Sequence, residues 1–184
     1  CDFSILKIMK SKKNLVLVGM MGSGKSTIGQ LLSKKLGFKF YDVDKIIENE
    51  QKIKIKEIFD QKGESFFRIL EEKITLNTLN YESSVISLGG GGFLNENIRK
   101  KTLIKSMTFW LDWDSLTLIK RIKKNKKRPI PQSLNDEQLQ SLIIERSKTY
   151  SKANHKISCE KLSELNIVKK ILNLYENRKN NNKN

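Results

Sequence analysis

Cysteine, histidine, proline and arginine are all scarce in this chain of 184 residues, and each scarcity excludes something. The two cysteines, Cys1 and Cys159, have the spacing of neither a disulfide framework nor a zinc site. They read as unpaired thiols in a reducing cytoplasm. The single histidine, His155, is expected at a strand end rather than in catalysis. Both prolines, Pro129 and Pro131, fall within 124–134, which must therefore be a loop. No apolar run approaches the ~20 residues needed to span a bilayer. The opening Cys1-Asp2-Phe3-Ser4 has neither the basic nor the apolar region of a secretory signal. A cytoplasmic location without a membrane partner is the expectation.

Lysine, by contrast, is abundant. The net charge is +16, and the 36 basic residues include only six arginines. The lysines are dispersed among Asn and Ile, which describes a solvated surface better than a nucleic-acid footprint. An ATP-dependent nucleic-acid-binding protein is the alternative of another class, and it would need a concentrated basic face with stacking aromatics. Against this background Arg68, Arg99, Arg121, Arg128, Arg146 and Arg178 are informative, because a planar bidentate fork is what lysine cannot replace. Hydrophobic content of 38% and charged content of 30% suit one globular domain with its own core.

Hydrophobic spacing divides the chain into alternating strands and helices. Asn14–Val18 reads as a buried parallel strand, and Lys25–Leu36 as a helix stopped by Gly37. An extended piece at 38–41 leads to Asp42-Val43-Asp44; helices are expected over 45–50, 54–62 and 64–80, with Gly63 parting the last two. Strands follow at 85–88 and 107–111, separated by a helix that Asn95 caps. Asp114 caps a helix to Lys124, another covers 135–150, His155–Ser158 is a strand, and 163–176 is the closing helix. The pattern is an α/β domain over 14–176 with a largely parallel sheet, preceded by an extension, 1–13, and followed by a polar tail, 177–184, expected to be disordered.

Between the first strand and the first helix, Gly19-Met20-Met21-Gly22-Ser23-Gly24-Lys25-Ser26 satisfies the phosphate-loop pattern, and Thr27 follows. Glycines let successive N–H groups face phosphate oxygens, and the helix presents its positive end to the same anion. Lys25 reaches the β- and γ-phosphates, and the Ser26 hydroxyl suits Mg²⁺. Asp42 and Asp44 follow the second strand; in an extended segment both would leave one face toward the loop. One carboxylate then supports Mg²⁺ through water, and the other takes a proton from an acceptor hydroxyl.

These residues, with Gly63-Glu64-Ser65-Phe66-Phe67-Arg68-Ile69-Leu70-Glu71-Glu72, Ser87-Leu88-Gly89-Gly90-Gly91, Arg128-Pro129 and Arg146 followed by Tyr150, resemble the shikimate kinase family. The resemblance implies a three-layer P-loop kinase fold, a five-stranded parallel sheet flanked by helices, with a lid over about 123–134. It implies ATP and shikimate as substrates, Mg²⁺ as cofactor, no nucleic-acid partner and a monomer. Gly22, Ser23, Gly24, Lys25, Ser26, Thr27, Arg121 and Arg128 would bind ATP, with Arg121 on the adenine and Arg128 on the phosphates during transfer. Ser26 and, through water, Asp42 would hold the metal. Asp44 would be the base, with Lys25 and Arg128 as its catalytic partners. Arg68 and Arg146 would grip the shikimate carboxylate, and Gly90 would offer its backbone to a hydroxyl. Ser87 stands where the second P-loop motif usually has an acidic residue. The nearest alternative is a kinase of the same fold acting on gluconate or a nucleotide.

Overall fold

The structure, a computed structural model, describes residues 13–124 and 134–181. Five parallel strands form one sheet in the order β2-β3-β1-β4-β5. They are β1 (Asn14–Val18), β2 (Lys39–Asp42), β3 (Ser84–Ser87), β4 (Ser106–Asp112) and β5 (His155–Ser158). The helices are α1 (Lys25–Leu36), α2 (Val43–Gln51), α3 (Ile55–Thr78), α4 (Glu96–Lys105), α5 (Ser115–Lys124), α6 (Asp136–Tyr150) and α7 (Glu164–Asn181).

Strand chemistry sets this order. β1 and β3 are buried along their whole length, as central parallel strands must be, whereas β2 and β5 carry exposed lysines at the edges. Side chains alternate across β1, so Leu15 and Leu17 enter one core and Val16 and Val18 the other. The first core takes Ile28 and Leu32 of α1 with Ile167, Val168 and Ile171 of α7. The second takes Ile47 of α2, Phe67 and Ile74 of α3, Leu118 of α5, and Leu139 and Tyr150 of α6. Helices thus cover both faces, giving the three layers that the resemblance implies.

Punctuation residues act as expected. Gly37 caps α1 in the left-handed region at φ 66°. Asn95 accepts from the N–H groups of Asn97 and Ile98 at 2.9 and 3.0 Å, and Asp114 from that of Thr117 at 2.8 Å. Gly63 breaks α3 with φ 80° and ψ 169°, where the sequence separates two helices.

Several element ends differ by a residue or two from the expectation, and two differences have a clear physical reason. α2 begins at Val43 rather than Lys45, because Asp42 caps it by accepting the Lys45 N–H at 3.3 Å. α7 continues to Asn181, so residues 177–181 of the expected disordered tail are helical; polarity alone does not end a helix already anchored by its apolar face. The extension as far as residue 12, and the lid residues 125–133 with Arg128, Pro129 and Pro131, lie outside the described residues.

Cys159 follows β5 and is fully buried, its thiol donating to the Ile157 carbonyl at 3.1 Å. Burial, reinforced by the nearby Asp112 carboxylate, pushes its pKa up to about 12. Since the thiolate is the nucleophile, Cys159 should resist alkylation in the native protein. In a Cys1→Ser variant, a thiol reagent at pH 8 should modify less than one group per several hours natively and one promptly in denaturant. Prompt native modification would contradict this burial.

Candidate active site

All parts of the site hang from the C-terminal ends of the strands, where a doubly wound sheet opens its crevice. β1, at the centre, runs directly into the phosphate loop. Gly22 and Gly24 hold φ of 79° and 85°, values that favour glycine and curl the backbone. Lys25, the first residue of α1 and 8% exposed, folds along the inside of the loop. Its Nζ donates to the carbonyls of Gly19 and Met20 at 2.8 and 2.9 Å and to Ser23 Oγ at 3.3 Å. A cation is thereby fixed against two backbone carbonyls and a hydroxyl of the loop. Ser23 is buried, and Thr27 lies on the first turn of α1.

Ser26 Oγ donates to Asp42 Oδ2 at 2.5 Å. A hydroxyl and a carboxylate so placed are hard oxygen donors of the kind Mg²⁺ accepts beside phosphate. Asp44 is not on an extended segment. It is the second residue of α2, so the same-face argument from strand spacing fails. Helix entry at Val43 brings the two carboxylates together by another route: both line one cavity of about 590 Å³. Gly22, Gly24, Lys25, Ser26, Thr27, Ser87, Gly90 and Arg121 line it too.

Beyond Asp44 lies a buried charge cluster built from α3, α6 and the glycine run. Glu71 is 1% exposed and accepts from Arg68 Nη1 at 2.7 Å. Burial pushes the Glu71 carboxyl above its ordinary range, and the positive charges of Arg68 and then Arg146 pull it only partly back. Exposed Glu64 accepts from Arg68 Nε and Nη2 at 3.1 and 2.9 Å. Arg146, 8% exposed, sets Nη1 3.9 Å from the Met20 sulfur of the phosphate loop. The absence of side chains in the glycine run makes this packing possible. A Cβ on Gly89 would stand 2.3 Å from Glu71 Oε1 and 2.7 Å from Asp44 Oδ1; one on Gly91 would stand 2.4 Å from Arg68 Nη1. Arg68 and Arg146 are not part of the cavity lining, and the cluster meets the cavity at Asp44 and Gly90.

Of the site residues read from the sequence, Gly22, Gly24, Lys25, Ser26, Thr27, Asp42, Asp44, Gly90 and Arg121 line one cavity. Ser23 is buried in the loop, Arg68 and Arg146 stand outside the lining, and Arg128 lies outside the described residues. Sequence reasoning assigned no role to two others. The Tyr150 hydroxyl donates to the Gly90 carbonyl and fixes the turn. Trp113, just after β4, donates Nε1–H to the Ser23 carbonyl at 2.9 Å and lies under the Arg121 guanidinium, 3.8 Å from its ring centre. Its only signal in the sequence is a large aromatic immediately beyond a strand end.

Comparison with known proteins agrees with this geometry. A family model described as shikimate kinase matches residues 21–176. The shikimate kinase of Sulfurihydrogenibium sp. is 43% identical over 162 residues, covering 87% of this chain and 96% of the relative. That of Persephonella marina is 44% identical over 161 residues, covering 87% and 97%. Among solved structures, shikimate kinase from Acinetobacter baumannii in complex with shikimate superposes with a TM-score of 0.88 at 28% identity, covering 94% of this chain and 98% of that one. The chain belongs to the shikimate kinase family.

Proposed function

We propose that this protein transfers the γ-phosphoryl group of Mg·ATP to the 3-hydroxyl of shikimate, giving shikimate 3-phosphate and ADP. The observation that carries the reading is a single one. The cavity joining Lys25 to Asp44 abuts two guanidiniums around Glu71, the half-buried Arg68 and the buried Arg146. On this reading a phosphate site, a base and a carboxylate site would adjoin one another, and shikimate would present one hydroxyl and its carboxylate to the last two.

Each residue then has a physical task. The loop N–H groups and Lys25 bind the phosphates and stabilise charge that develops on the transferred group. Ser26 and, through water, Asp42 would hold Mg²⁺, which supplies charge neutralisation at the phosphates. Asp44 orients the acceptor hydroxyl and takes its proton as oxygen bonds to phosphorus and ADP leaves. Arg68 presents to the shikimate carboxylate the Nε/Nη2 edge now engaged by Glu64, while Glu71 keeps the guanidinium plane fixed. Gly90, anchored by Tyr150, offers backbone to a substrate hydroxyl. Arg128, which lies outside the described residues, would contact the phosphates during transfer, as the family resemblance implies. The protein works as a cytoplasmic monomer.

Kinetic constants separate these tasks. Lys25→Ala should abolish turnover without altering the fold measured by circular dichroism. Asp44→Asn should lower kcat by roughly 10²-fold or more, the scale of a positioned base, while shikimate still binds. Arg68→Lys and Arg146→Lys should raise the KM for shikimate by about tenfold, equivalent to one charge-assisted hydrogen bond, and leave that for ATP alone. Unchanged shikimate kinetics in both arginine variants would mean the carboxylate site lies elsewhere.

The glycine run gives a separate test. Gly89→Ala drives a methyl group between Glu71 and Asp44, so kcat should fall more than thermal stability does. A variant as active as the parent would show that this close approach is not required.

A further inference from the structure

We infer that Trp113 is a positioning residue for ATP: its indole pins the phosphate loop from behind and supports Arg121 as a platform for the adenine. The inference rests on the nucleotide-binding reading of the loop and adds a residue to it. Trp113 begins the connection from β4 to α5, beside the loop that leaves β1. β4 pairs with β1 in parallel, Trp110 opposite Val18, so the two chain reversals emerge side by side.

Two contacts define the role. Indole Nε1 donates to the Ser23 carbonyl at 2.9 Å, a hydrogen bond spanning 90 residues of sequence. The same ring lies 3.8 Å from the Arg121 guanidinium carbon, close enough for a strong cation–π stack. Arg121 in turn sets Nη1 3.4 Å from the Gly22 carbonyl, and its Cβ lies close behind Gly22. The carbonyls of Gly22 and Ser23 are thus both held outward by one stacked unit. In a curled loop, that orientation turns the neighbouring N–H groups toward the phosphates.

The stack also gives Arg121 two different faces. One is covered by the half-buried indole, and Arg121 is the member of the pair that lines the cavity. A nucleotide base entering beside the phosphate loop meets a guanidinium already flattened against an aromatic. Little side-chain entropy is then left to lose on binding. Trp113 acts on ATP through Arg121 and Ser23 and leaves the acceptor site untouched.

Intrinsic fluorescence, titration and kinetics test this on the full chain. Wild-type protein should bind ADP with a change in tryptophan emission that survives Trp110→Phe and disappears in Trp113→Phe. Trp113→Leu removes both contacts and should weaken ADP binding and raise the KM for ATP about tenfold. The KM for shikimate should stay within twofold. Trp113→Phe keeps a ring under Arg121 but no N–H, so it should recover part of the loss; it also decides the matter should Trp113→Leu fail to fold. In an Arg121→Ala background the same Trp113 changes should cost clearly less, because the platform is already gone. Pyrophosphate, which lacks a base, should lose less affinity than ADP. Wild-type affinity for ADP in both Trp113 variants would overturn the inference, as would equal losses for ADP and shikimate. Failure of wild-type protein to bind ADP at all would instead overturn the nucleotide-binding reading beneath it.

Discussion

The site depends on one buried carboxylate. Glu71 is 1% exposed on a helix interior and meets Arg68 at 2.7 Å, with Arg146 close enough to act on its charge. An ion taken this far from water persists only when partners offset its desolvation; removing one costs about 3–5 kcal/mol. Arg68 and Arg146 are consequently held in place by the fold before any substrate arrives. The glycine run is shaped by the same need, since Gly89 and Gly91 lie where a Cβ would enter Glu71, Asp44 or Arg68. Under the proposed function, the Glu64 contact on Arg68 is the one that a substrate carboxylate would have to displace.

The sheet converts that local cluster into an active site. Because β1 sits between β3 and β4, its phosphate loop emerges at the middle of the C-terminal edge. The turn after β2 brings Asp42 and Asp44 from one side, and the turn after β4 brings Trp113 and Arg121 from the other. Met20 Sδ against Arg146 Nη1, at 3.9 Å, packs the phosphate loop directly on the acceptor side. Under the proposed function, nucleotide and acceptor sites would share a wall, which suits a transfer that is mostly positioning and charge stabilisation.

Much of this was legible in the sequence. Parallel strands at the sheet centre are unbroken apolar runs, and the ends of α1, α4 and α5 carry their caps in plain view as Gly37, Asn95 and Asp114. The glycine pattern before Lys25 signals its own function because few other backbones bind phosphate that way. The Asp42–Asp44 pair was recognised for a reason the structure does not support. Spacing suggested a shared strand face, whereas Asp42 caps α2 and Asp44 lies within it. Local spacing cannot tell an extended turn from a helix start when the capping residue is itself one of the pair. Trp113 was invisible because its partners, Ser23 and Arg121, become neighbours only when β4 pairs with β1. The reach of α7 to Asn181 was missed because composition suggests a tail where helix propagation carries on.

The central claim is that one cavity joins a nucleotide's phosphates to an acceptor carrying both a hydroxyl and a carboxylate matched to Arg68 and Arg146. Coupled ADP release from Mg·ATP, measured on the purified chain with shikimate, gluconate and nucleoside monophosphates in turn, tests it most directly. The account predicts rapid release with shikimate, near-background release with the others, and shikimate 3-phosphate as the product. Preferred turnover of gluconate or a nucleotide, with none on shikimate, would contradict it.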